Sequence, residues 1–245
     1  MMKKKTKILI TVIAAVVAFA LVGGAILYFA VIKPQKEAEQ ELIQTFEDYY
    51  DYRVEQFEAE NQLYDDYEVD VAFIGDSLTD GYDVKSAYPQ YTVVNRGISG
   101  DTTFGVEKRL QVSLYDLKPK AVVMLIGVNN IDTMFENYED ILVSFKENLP
   151  NTDVVLVSLT SMSMEWGKNN QLAAYNNVKI KLLAEKYDFA YVDLYSALLD
   201  PKTGELRAEY TTDGGHQTAA GYEVFTKTIT PALEGLESLK EKTGQ

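Results

Sequence analysis

The sequence predicts an α/β protein whose parallel sheet is covered by helices on both faces. From residue 69 onward, short apolar runs rich in β-branched residues alternate with helical patterns, and polar, glycine-rich segments follow the runs. Alternation of this kind is typical of parallel sheets, whose strands are buried on both sides. A long apolar segment lies ahead of this region. We therefore expect one α/β domain preceded by an N-terminal transmembrane helix.

The N-terminal segment, residues 1–33, consists of a lysine-rich tip and an uncharged run from residue 8 to residue 32. As a helix this run spans about 37 Å, which exceeds a hydrocarbon core of about 30 Å. It is also longer than the apolar region of about 7–15 residues in a cleavable signal peptide. Cleavage after Ala20, in a small-x-small pattern, would leave an apolar N-terminus. We expect a single-pass signal anchor that places the later residues on the extracytoplasmic side.

Residues 34–68 are acidic and form the second predicted segment, an amphipathic helix or linker. Its apolar residues recur at helical spacing, at Leu42, Phe46, Tyr50, Val54 and Phe57. The pattern is too short for a coiled-coil stalk. We expect the helix to pack this stripe onto the domain that follows. A surface for a partner protein is the alternative suggested by its many tyrosines.

The third segment, residues 69–245, contains the predicted sheet. We predict five strands, at residues 69–74, 91–95, 121–126, 153–159 and 189–192. Four helices are predicted near residues 103–117, 136–149, 170–187 and 219–236. In such a sheet the ligand binds beyond the carboxyl ends of the strands. The residues that follow the strands are therefore the first candidates for a functional site.

Composition excludes several classes of function. The formal net charge is −14, and residues 34–245 carry 18 basic against 37 acidic groups. Such a surface repels phosphate backbones, so nucleic acid is not an expected partner. The absence of cysteine excludes disulfides and thiolate metal sites. The single histidine excludes a multi-histidine metal site.

Ser77 is the candidate nucleophile, because it follows the first predicted strand in the stretch VDVAFIGDSLTDG. A serine at the tip of a buried strand presents its hydroxyl group to a cleft. His216 is the only imidazole in the chain and therefore the only histidine available as a general base. Asp213 precedes it by three residues, close enough to accept a hydrogen bond from the ring. Together the three side chains form a candidate triad for acyl transfer.

Three groups are candidates for an oxyanion hole: the backbone amides of Ser77 and Gly97 and the side-chain amide of Asn129. Glycine at position 97 permits close approach of the backbone to a substrate. Each residue also has a structural interpretation, since serine caps helices and glycine and asparagine form turns. Asp213 also fits a helix cap, and a lone histidine is often surface or core filler. Their joint occurrence, in order and after strands, favours the catalytic interpretation.

The chain resembles the SGNH/GDSL hydrolases, a superfamily of serine esterases and acylhydrolases, over about residues 69–236. Four blocks carry the resemblance: GDSLTDG at 75–81, NRGISGDTT at 95–103, GVNN at 127–130 and DGGHQTAAGY at 213–222. It implies a flavodoxin-like three-layer α/β/α sandwich with a five-stranded parallel sheet. It also implies that Ser77, His216 and Asp213 form the triad, with Ser77, Gly97 and Asn129 as the oxyanion hole.

Two positions depart from the family pattern. Asn130 stands where the third block often has aspartate, and Gln217 stands where proline or leucine often follows the histidine. We expect the reaction to survive the loss of the carboxylate at position 130, and the change at Gln217 to act only locally. A G-x-S-x-G elbow is absent, which argues against the ordinary α/β-hydrolase fold.

The resemblance implies a two-step serine mechanism that requires neither a metal nor an organic cofactor. The expected substrate is an ester, either a lipid or an acylated glycan, and the chain looks most like the lysophospholipase and acetylhydrolase branch. We expect a membrane-anchored, extracytoplasmic serine ester hydrolase. An acyltransferase that uses the same site to modify a surface glycan is one alternative. A non-catalytic surface binding protein is the alternative from another class, and the sequence leaves the oligomeric state open.

Four residues are predicted to line the substrate pocket: Tyr82, Met162, Met164 and Trp166. Each flanks the end of a predicted strand. For the two methionines, packing beneath a loop is an equally good interpretation. Trp166 is the stronger candidate, because Glu165, Gly167 and Lys168 indicate an exposed loop around it.

Overall fold

The computed structural model describes residue 24 and residues 27–243 of the chain. Most of the predicted transmembrane segment, residues 8–32, lies outside the described residues. Within the described part, no helix is both long enough and apolar enough to cross a bilayer. The chain divides into two compact units, one that ends at Asp48 and one that begins at Tyr49.

A five-stranded sheet with the strand order β2-β1-β3-β4-β5 forms the centre of the second unit. All neighbouring strands are parallel. The strands are β1 (Val71–Gly75), β2 (Val93–Gly97), β3 (Ala121–Leu125), β4 (Asp153–Val157) and β5 (Ala190–Val192). This order is the flavodoxin-like one, in which a ligand site lies at the carboxyl ends of the strands. The prediction of a five-stranded parallel sheet is confirmed.

Nine α-helices and a pair of short strands accompany the sheet among the described residues. The helices are α1 (Lys33–Asn61), α2 (Ser77–Asp80), α3 (Val84–Ala87), α4 (Thr103–Lys108), α5 (Tyr138–Asn148), α6 (Asn170–Tyr187), α7 (Leu194–Leu198), α8 (Ala219–Gly235) and α9 (Glu237–Thr243). The short strands β6 (Leu199–Asp200) and β7 (Glu205–Leu206) form an antiparallel pair. Turns of 3₁₀-helix lie at Val128–Asn130, Met134–Glu136, Met164–Asn169 and Ala208–Tyr210.

The sheet separates two apolar layers, because successive strand residues point to opposite faces. In β1, Ala72 and Ile74 belong to one buried cluster, whereas Val71 and Phe73 belong to the other. Helices α4, α5 and α6 contribute Val106, Ile141 and Ile180 to the first cluster. Helices α7 and α8 contribute Leu198 and Phe225 to the second. The result is the predicted three-layer α/β/α sandwich.

The helix predicted near residues 103–117 is divided in two. Helix α4 ends at Lys108, and a π-helical turn follows at Gln111–Tyr115. The break falls at Arg109, whose buried guanidinium donates hydrogen bonds to the backbone oxygens of Gly75, at 3.1 Å, and Arg96, at 2.8 Å. Arg109 therefore ties together the carboxyl ends of β1 and β2.

The apolar stripe of α1 is buried only in part. Phe57 is buried, Tyr50 and Val54 are half-buried, and Leu42 and Phe46 are exposed. The prediction that the helix packs its stripe onto the α/β domain therefore holds for the part that starts at Tyr50. Among the described residues before Tyr50, none belongs to either buried cluster.

Phe57 on α1 lies at the centre of three guanidinium groups. Its ring centroid is 5.0 Å from the central carbon of Arg53, 4.8 Å from that of Arg96 and 5.7 Å from that of Arg109. Cations are attracted to the face of an aromatic ring, more strongly when water is excluded. Phe57 is only 2% exposed, so water is excluded from these contacts. Through them, α1 is attached to Arg96 in β2 and to Arg109 after α4.

Arg96 in β2 has a fully buried side chain and depends on α1 for its partners. It forms an ion pair with Glu60 and donates a hydrogen bond of 2.8 Å to Asn61 Oδ1. A buried charge without a partner is strongly destabilising. The last turn of α1 is therefore a structural part of the α/β domain, although it falls in the segment 34–68 that the sequence analysis set apart from that domain.

Candidate active site

Ser77, His216 and Asp213 form a connected hydrogen-bonded triad. β1 ends at Gly75, and Ser77 begins the short helix α2, where the chain turns sharply between strand and helix. A Cβ atom at Gly75 would lie 2.1 Å from the backbone oxygen of Leu125, so only glycine fits this turn. His216 Nε2 lies 3.0 Å from Ser77 Oγ. His216 Nδ1 lies 2.6 Å from Asp213 Oδ2.

The loop before α8 holds Asp213 in a position to orient His216. Besides the imidazole, its carboxylate accepts hydrogen bonds from the backbone amides of Gly215, at 2.9 Å, and His216, at 2.8 Å. Burial raises the pKa of Asp213, but these hydrogen bonds outweigh that effect and lower the pKa to about 2. The ionised carboxylate favours a proton on Nδ1, which leaves Nε2 free to accept the proton of Ser77.

We expect the contribution of Asp213 to stability to disappear in acid. Its folded pKa of about 2 lies below the ordinary value of about 3.9. A depressed acid pKa stabilises the fold above the unfolded value, and the effect is lost as the pH falls through the folded value. The difference in free energy of unfolding between the wild type and Asp213→Asn should therefore shrink between pH 6 and pH 2. Urea unfolding at several pH values measures it.

Asp51→Asn is the matched control for that measurement. Asp51 is exposed on α1, and its side chain makes no hydrogen bond with a described residue. Its substitution should change the free energy of unfolding by less than about 0.5 kcal/mol. A difference for Asp213→Asn that stays constant or grows in acid contradicts the proposed hydrogen-bonding of the carboxylate.

Asp76, directly before the nucleophile, is a fully enclosed carboxyl group. Its Oδ1 atom accepts a hydrogen bond of 3.0 Å from the amide of Leu78 and so caps α2. Burial raises the pKa of Asp76 to about 7, and the nearby charge of Asp101 acts in the same direction. The sequence pattern GDS therefore supplies a helix cap beside the nucleophile as well as the nucleophile itself.

Gly97 does not fit the predicted role of oxyanion donor. Its amide donates a hydrogen bond of 2.8 Å to Asn95 Oδ1, so this N–H group is already used. A Cβ atom at this position would lie 2.1 Å from the backbone nitrogen of Asp80. Glycine is needed at 97 because β2 packs against α2 here. The prediction that the Gly97 amide is an oxyanion donor is therefore corrected.

Gly100, in the same sequence block, has the properties expected of a donor. It is exposed and has a φ of +81°, a conformation that favours glycine. Its amide has no hydrogen-bond partner among the described residues. The predicted donor Asn129 lines the cavity next to Ser77, and its Nδ2 atom donates to the backbone oxygen of Asp101, the residue after Gly100. The Ser77 amide, at the start of α2, also lacks a partner among the described residues.

Asp80 organises the loop that contains Gly97 and Gly100. Its Oδ2 atom accepts hydrogen bonds from the hydroxyl of Tyr49, at 2.7 Å, and from the hydroxyl of Ser99, at 2.6 Å. Arg53 lies 3.4 Å from Asp80 Oδ1 and donates to the backbone oxygen of Gly97. Sequence reasoning missed these contacts, because α1 is separated from the loop by about 40 residues. The only sign of them in the sequence was Asp80, the acidic residue at the end of the motif GDSLTD.

Two cavities meet at the triad. The smaller one has a volume of about 20 Å³ and is lined by Ser77, His216, Met162 and Thr160, among others. The larger one is an open groove of about 650 Å³. Val128, Asn129 and Trp166 line both, so the groove begins at the reaction centre. The predictions that Met162 and Trp166 lie at the pocket agree with this arrangement.

Tyr82 and Met164 lie elsewhere, which corrects two of the predicted pocket residues. Tyr82 is 5% exposed within the second apolar layer, where its ring stacks on that of Tyr222 with centroids 5.0 Å apart. Its hydroxyl contacts Thr226 at 2.7 Å. Met164 has a positive φ of 51° and is 62% exposed. Neither residue lines the cavity that contains Ser77.

Asn130 lies next to the predicted oxyanion donor Asn129. The side-chain amide of Asn130 donates a hydrogen bond of 2.9 Å to Thr103 Oγ1, at the start of α4. Among the described residues, no group of three or more histidine, aspartate or glutamate side chains is arranged to hold a metal ion.

Comparison with known proteins was made on sequence and on structure. Residues 73–224 match the GDSL-like Lipase/Acylhydrolase family. No match is found among curated proteins. A solved protein from Streptococcus pneumonia, whose description refers to a platelet activating factor, is 26% identical; the alignment covers 81% of this chain and 99% of that one, with a TM-score of 0.74.

Two further solved structures share the fold. A GDSL-like lipase from Bacteroides thetaiotaomicron is 24% identical over 74% of this chain and 97% of its own, with a TM-score of 0.66. A catalytic mutant of an acetylxylan esterase from Geobacillus stearothermophilus is 20% identical over 71% of this chain and 98% of its own, with a TM-score of 0.57.

Proposed function

The chain belongs to the GDSL-like lipase/acylhydrolase family, and we propose that within it this protein hydrolyses esters of short carboxylic acids. One observation carries the proposal: His216 contacts Ser77 Oγ through one ring nitrogen and Asp213 through the other. This is the arrangement that activates a serine hydroxyl for attack on a carbonyl carbon. The family membership fixes the reaction class as carboxylic ester hydrolysis.

The proposed reaction has two steps. Ser77 Oγ attacks the ester carbonyl while His216 Nε2 takes its proton, and the imidazolium then protonates the leaving alcohol. Water, deprotonated by His216, attacks the acyl-enzyme and releases the acid. The oxyanion formed in each step is stabilised by the amides of Ser77 and Gly100 and by Asn129. His216 has a half-exposed side chain, so water from the solvent can reach it for the second step.

The small volume next to the nucleophile supports a short acyl chain. About 20 Å³ is close to the space of a single water molecule, and buried side chains such as Met162 enclose it. A fatty acyl chain would require this wall to open. The acetylxylan esterase with the same fold is consistent with an acetyl-sized acyl group here.

A panel of p-nitrophenyl esters tests the proposal. The full chain, purified in mild detergent, should hydrolyse the acetate with a kcat/KM at least about 10-fold above that of the octanoate. A single methylene group that does not fit a tight pocket already lowers kcat/KM by roughly that factor. Preference for the octanoate would contradict the short acyl group but not ester hydrolysis. Inactivity toward every ester would contradict the function itself.

We further propose that the protein is anchored in the cell membrane by residues 1–33, with its catalytic domain extracytoplasmic. The support is in the sequence: an uncharged run at residues 8–32 follows four lysines. Fractionation of cells, with protease added to intact spheroplasts, tests both parts. The protein should sediment with membranes and be digested from outside. Recovery in the soluble fraction would contradict the anchor, and protection from the protease would contradict the orientation.

A further inference from the structure

We propose that the open groove beside the triad binds the alcohol half of the ester, and that this alcohol is a carbohydrate. The inference rests on the proposed function and narrows its substrate class. Ser77 and His216 line only the small cavity, whose volume of about 20 Å³ disfavours a long acyl chain. The groove of about 650 Å³ adjoins it across Asn129 and Trp166 and is therefore the space available to the leaving group.

The lining of the groove combines apolar surface with many polar side chains, and this combination fits a polyhydroxylated ligand. Besides Asn129, six polar side chains line it: Asn130, Asp132, Thr133, Glu165, Lys168 and Asn169. An alkyl chain placed here would remove these groups from water without replacing their hydrogen bonds, which is costly. Sugar hydroxyl groups act as both donors and acceptors, so they can pair with carboxylates, amides and an ammonium group alike.

Several of these polar groups are not used by the fold. Asp132, Glu165 and Lys168 make no hydrogen bond or ion pair with any described residue, and all three are exposed. Because all three line the groove, their hydrogen-bonding capacity is available to a ligand bound there. The two carboxylates outnumber the one ammonium group, so the groove also disfavours a phosphate-bearing alcohol.

Trp166 supplies the apolar surface that a sugar ring needs. It is half-buried, and it lies edge-on to His216 with ring centroids 6.4 Å apart. A Cβ atom at Gly215 would lie 3.2 Å from its indole ring, so the tryptophan packs closely on the catalytic loop. An aromatic face with polar groups around it binds the C–H face of a sugar while its hydroxyls pair with the surroundings.

The walls of the groove are held by two amide side chains, those of the partly exposed Asn170 and the buried Asn176. Asn170 accepts a hydrogen bond of 2.7 Å from the amide of Met162 and donates 2.6 Å to its backbone oxygen. Asn176 donates 2.8 Å to the backbone oxygen of Ile131. These bonds fix the 3₁₀ turn that contains Trp166 and the segment after Asn129. A preorganised wall loses less entropy when it binds a ligand.

The test compares three acetyl esters that differ only in the alcohol: a disaccharide monoacetate, ethyl acetate and a 2-acetyl glycerophospholipid. The full chain in mild detergent should show the highest kcat/KM on the sugar ester, at least about 10-fold above ethyl acetate. The double variant Glu165→Ala/Lys168→Ala should reduce this preference at least 5-fold. These positions lie away from the triad, so that the ratio of kcat/KM values reports binding of the alcohol.

Lys181→Ala/Glu185→Ala is the matched control, since both residues are exposed on α6 and neither lines a cavity at the site. It should leave the sugar preference unchanged. Preference for the phospholipid, or a sugar preference that survives in the groove variant, would overturn the inference. p-Nitrophenyl acetate separates the two proposals: if it is cleaved in such a case, ester hydrolysis stands. If no ester is cleaved, both fall.

Discussion

Ser77→Ala should reduce kcat toward p-nitrophenyl acetate by at least about 10⁴-fold, since loss of a triad nucleophile removes covalent catalysis altogether. The residual rate would come from the oxyanion donors and from binding alone. His216→Ala should cost a similar factor, because the serine and the histidine act as one unit. The double variant should therefore be hardly slower than either single one.

Ser196→Ala is the control for this substitution, because Ser196 is an exposed serine on α7 away from the site. It should keep the wild-type rate. A fluorophosphonate probe should label the wild type and fail to label Ser77→Ala, while thermal unfolding shows that the variant is folded. Labelling that survives in Ser77→Ala would assign the nucleophile to another residue.

Phe57→Ala should lower the free energy of unfolding by about 3 kcal/mol or more, the range for deletion of a large buried aromatic side chain. For a domain of this size that corresponds to a fall in Tm on the order of 6–12 °C. The ring is 2% exposed and contacts three guanidinium groups, so its removal leaves a cavity and exposes Arg96 and Arg109 to each other.

Phe46→Ala provides the comparison on the same helix. Phe46 is 48% exposed, and its removal should change the free energy of unfolding by less than about 0.5 kcal/mol. Chemical denaturation of the full chain measures both variants. Equal, small effects would contradict the structural role assigned to the last part of α1.

The sequence was most informative where chemistry restricts the choice of residue. Ser77, Asp213 and His216 were predictable because a single histidine leaves no choice of imidazole base and because strand ends meet at one edge of a parallel sheet. The layers of the fold followed from the alternation of strands and helices. The structure brings the three side chains within hydrogen-bonding distance, as that reasoning requires.

Gly97 and Gly100 show where such reasoning fails. Both are glycines of one block, three residues apart, and the sequence offers no way to tell which amide is free. The choice depends on tertiary contacts: the side chain of Asn95 occupies the Gly97 amide, and α2 packs against its Cα atom. Tyr82 was misplaced for a related reason, because an aromatic residue after a strand end faces the core or the cleft depending on the helix beside it.

The groove was not predictable, because its two walls are distant in sequence. Residues 128–133 follow β3, whereas residues 165–169 follow β4. Only the neighbouring positions of β3 and β4 in the sheet bring them together. Trp166 was recognised from its polar sequence neighbours. Asp132 and Asn169, which line the same groove, had no distinguishing motif.

The pairing of Arg96 with Glu60 and Asn61 has a consequence for how this catalytic region can be transplanted. The family match begins at residue 73, whereas the compact unit begins at Tyr49. A gene fusion that starts at the match would separate a fully buried cation from the carboxylate that neutralises it and from the amide that accepts its hydrogen bond. Residues 49–72 therefore have to accompany the catalytic sequence into any chimera, and recombination that preserves activity is expected to fall before them.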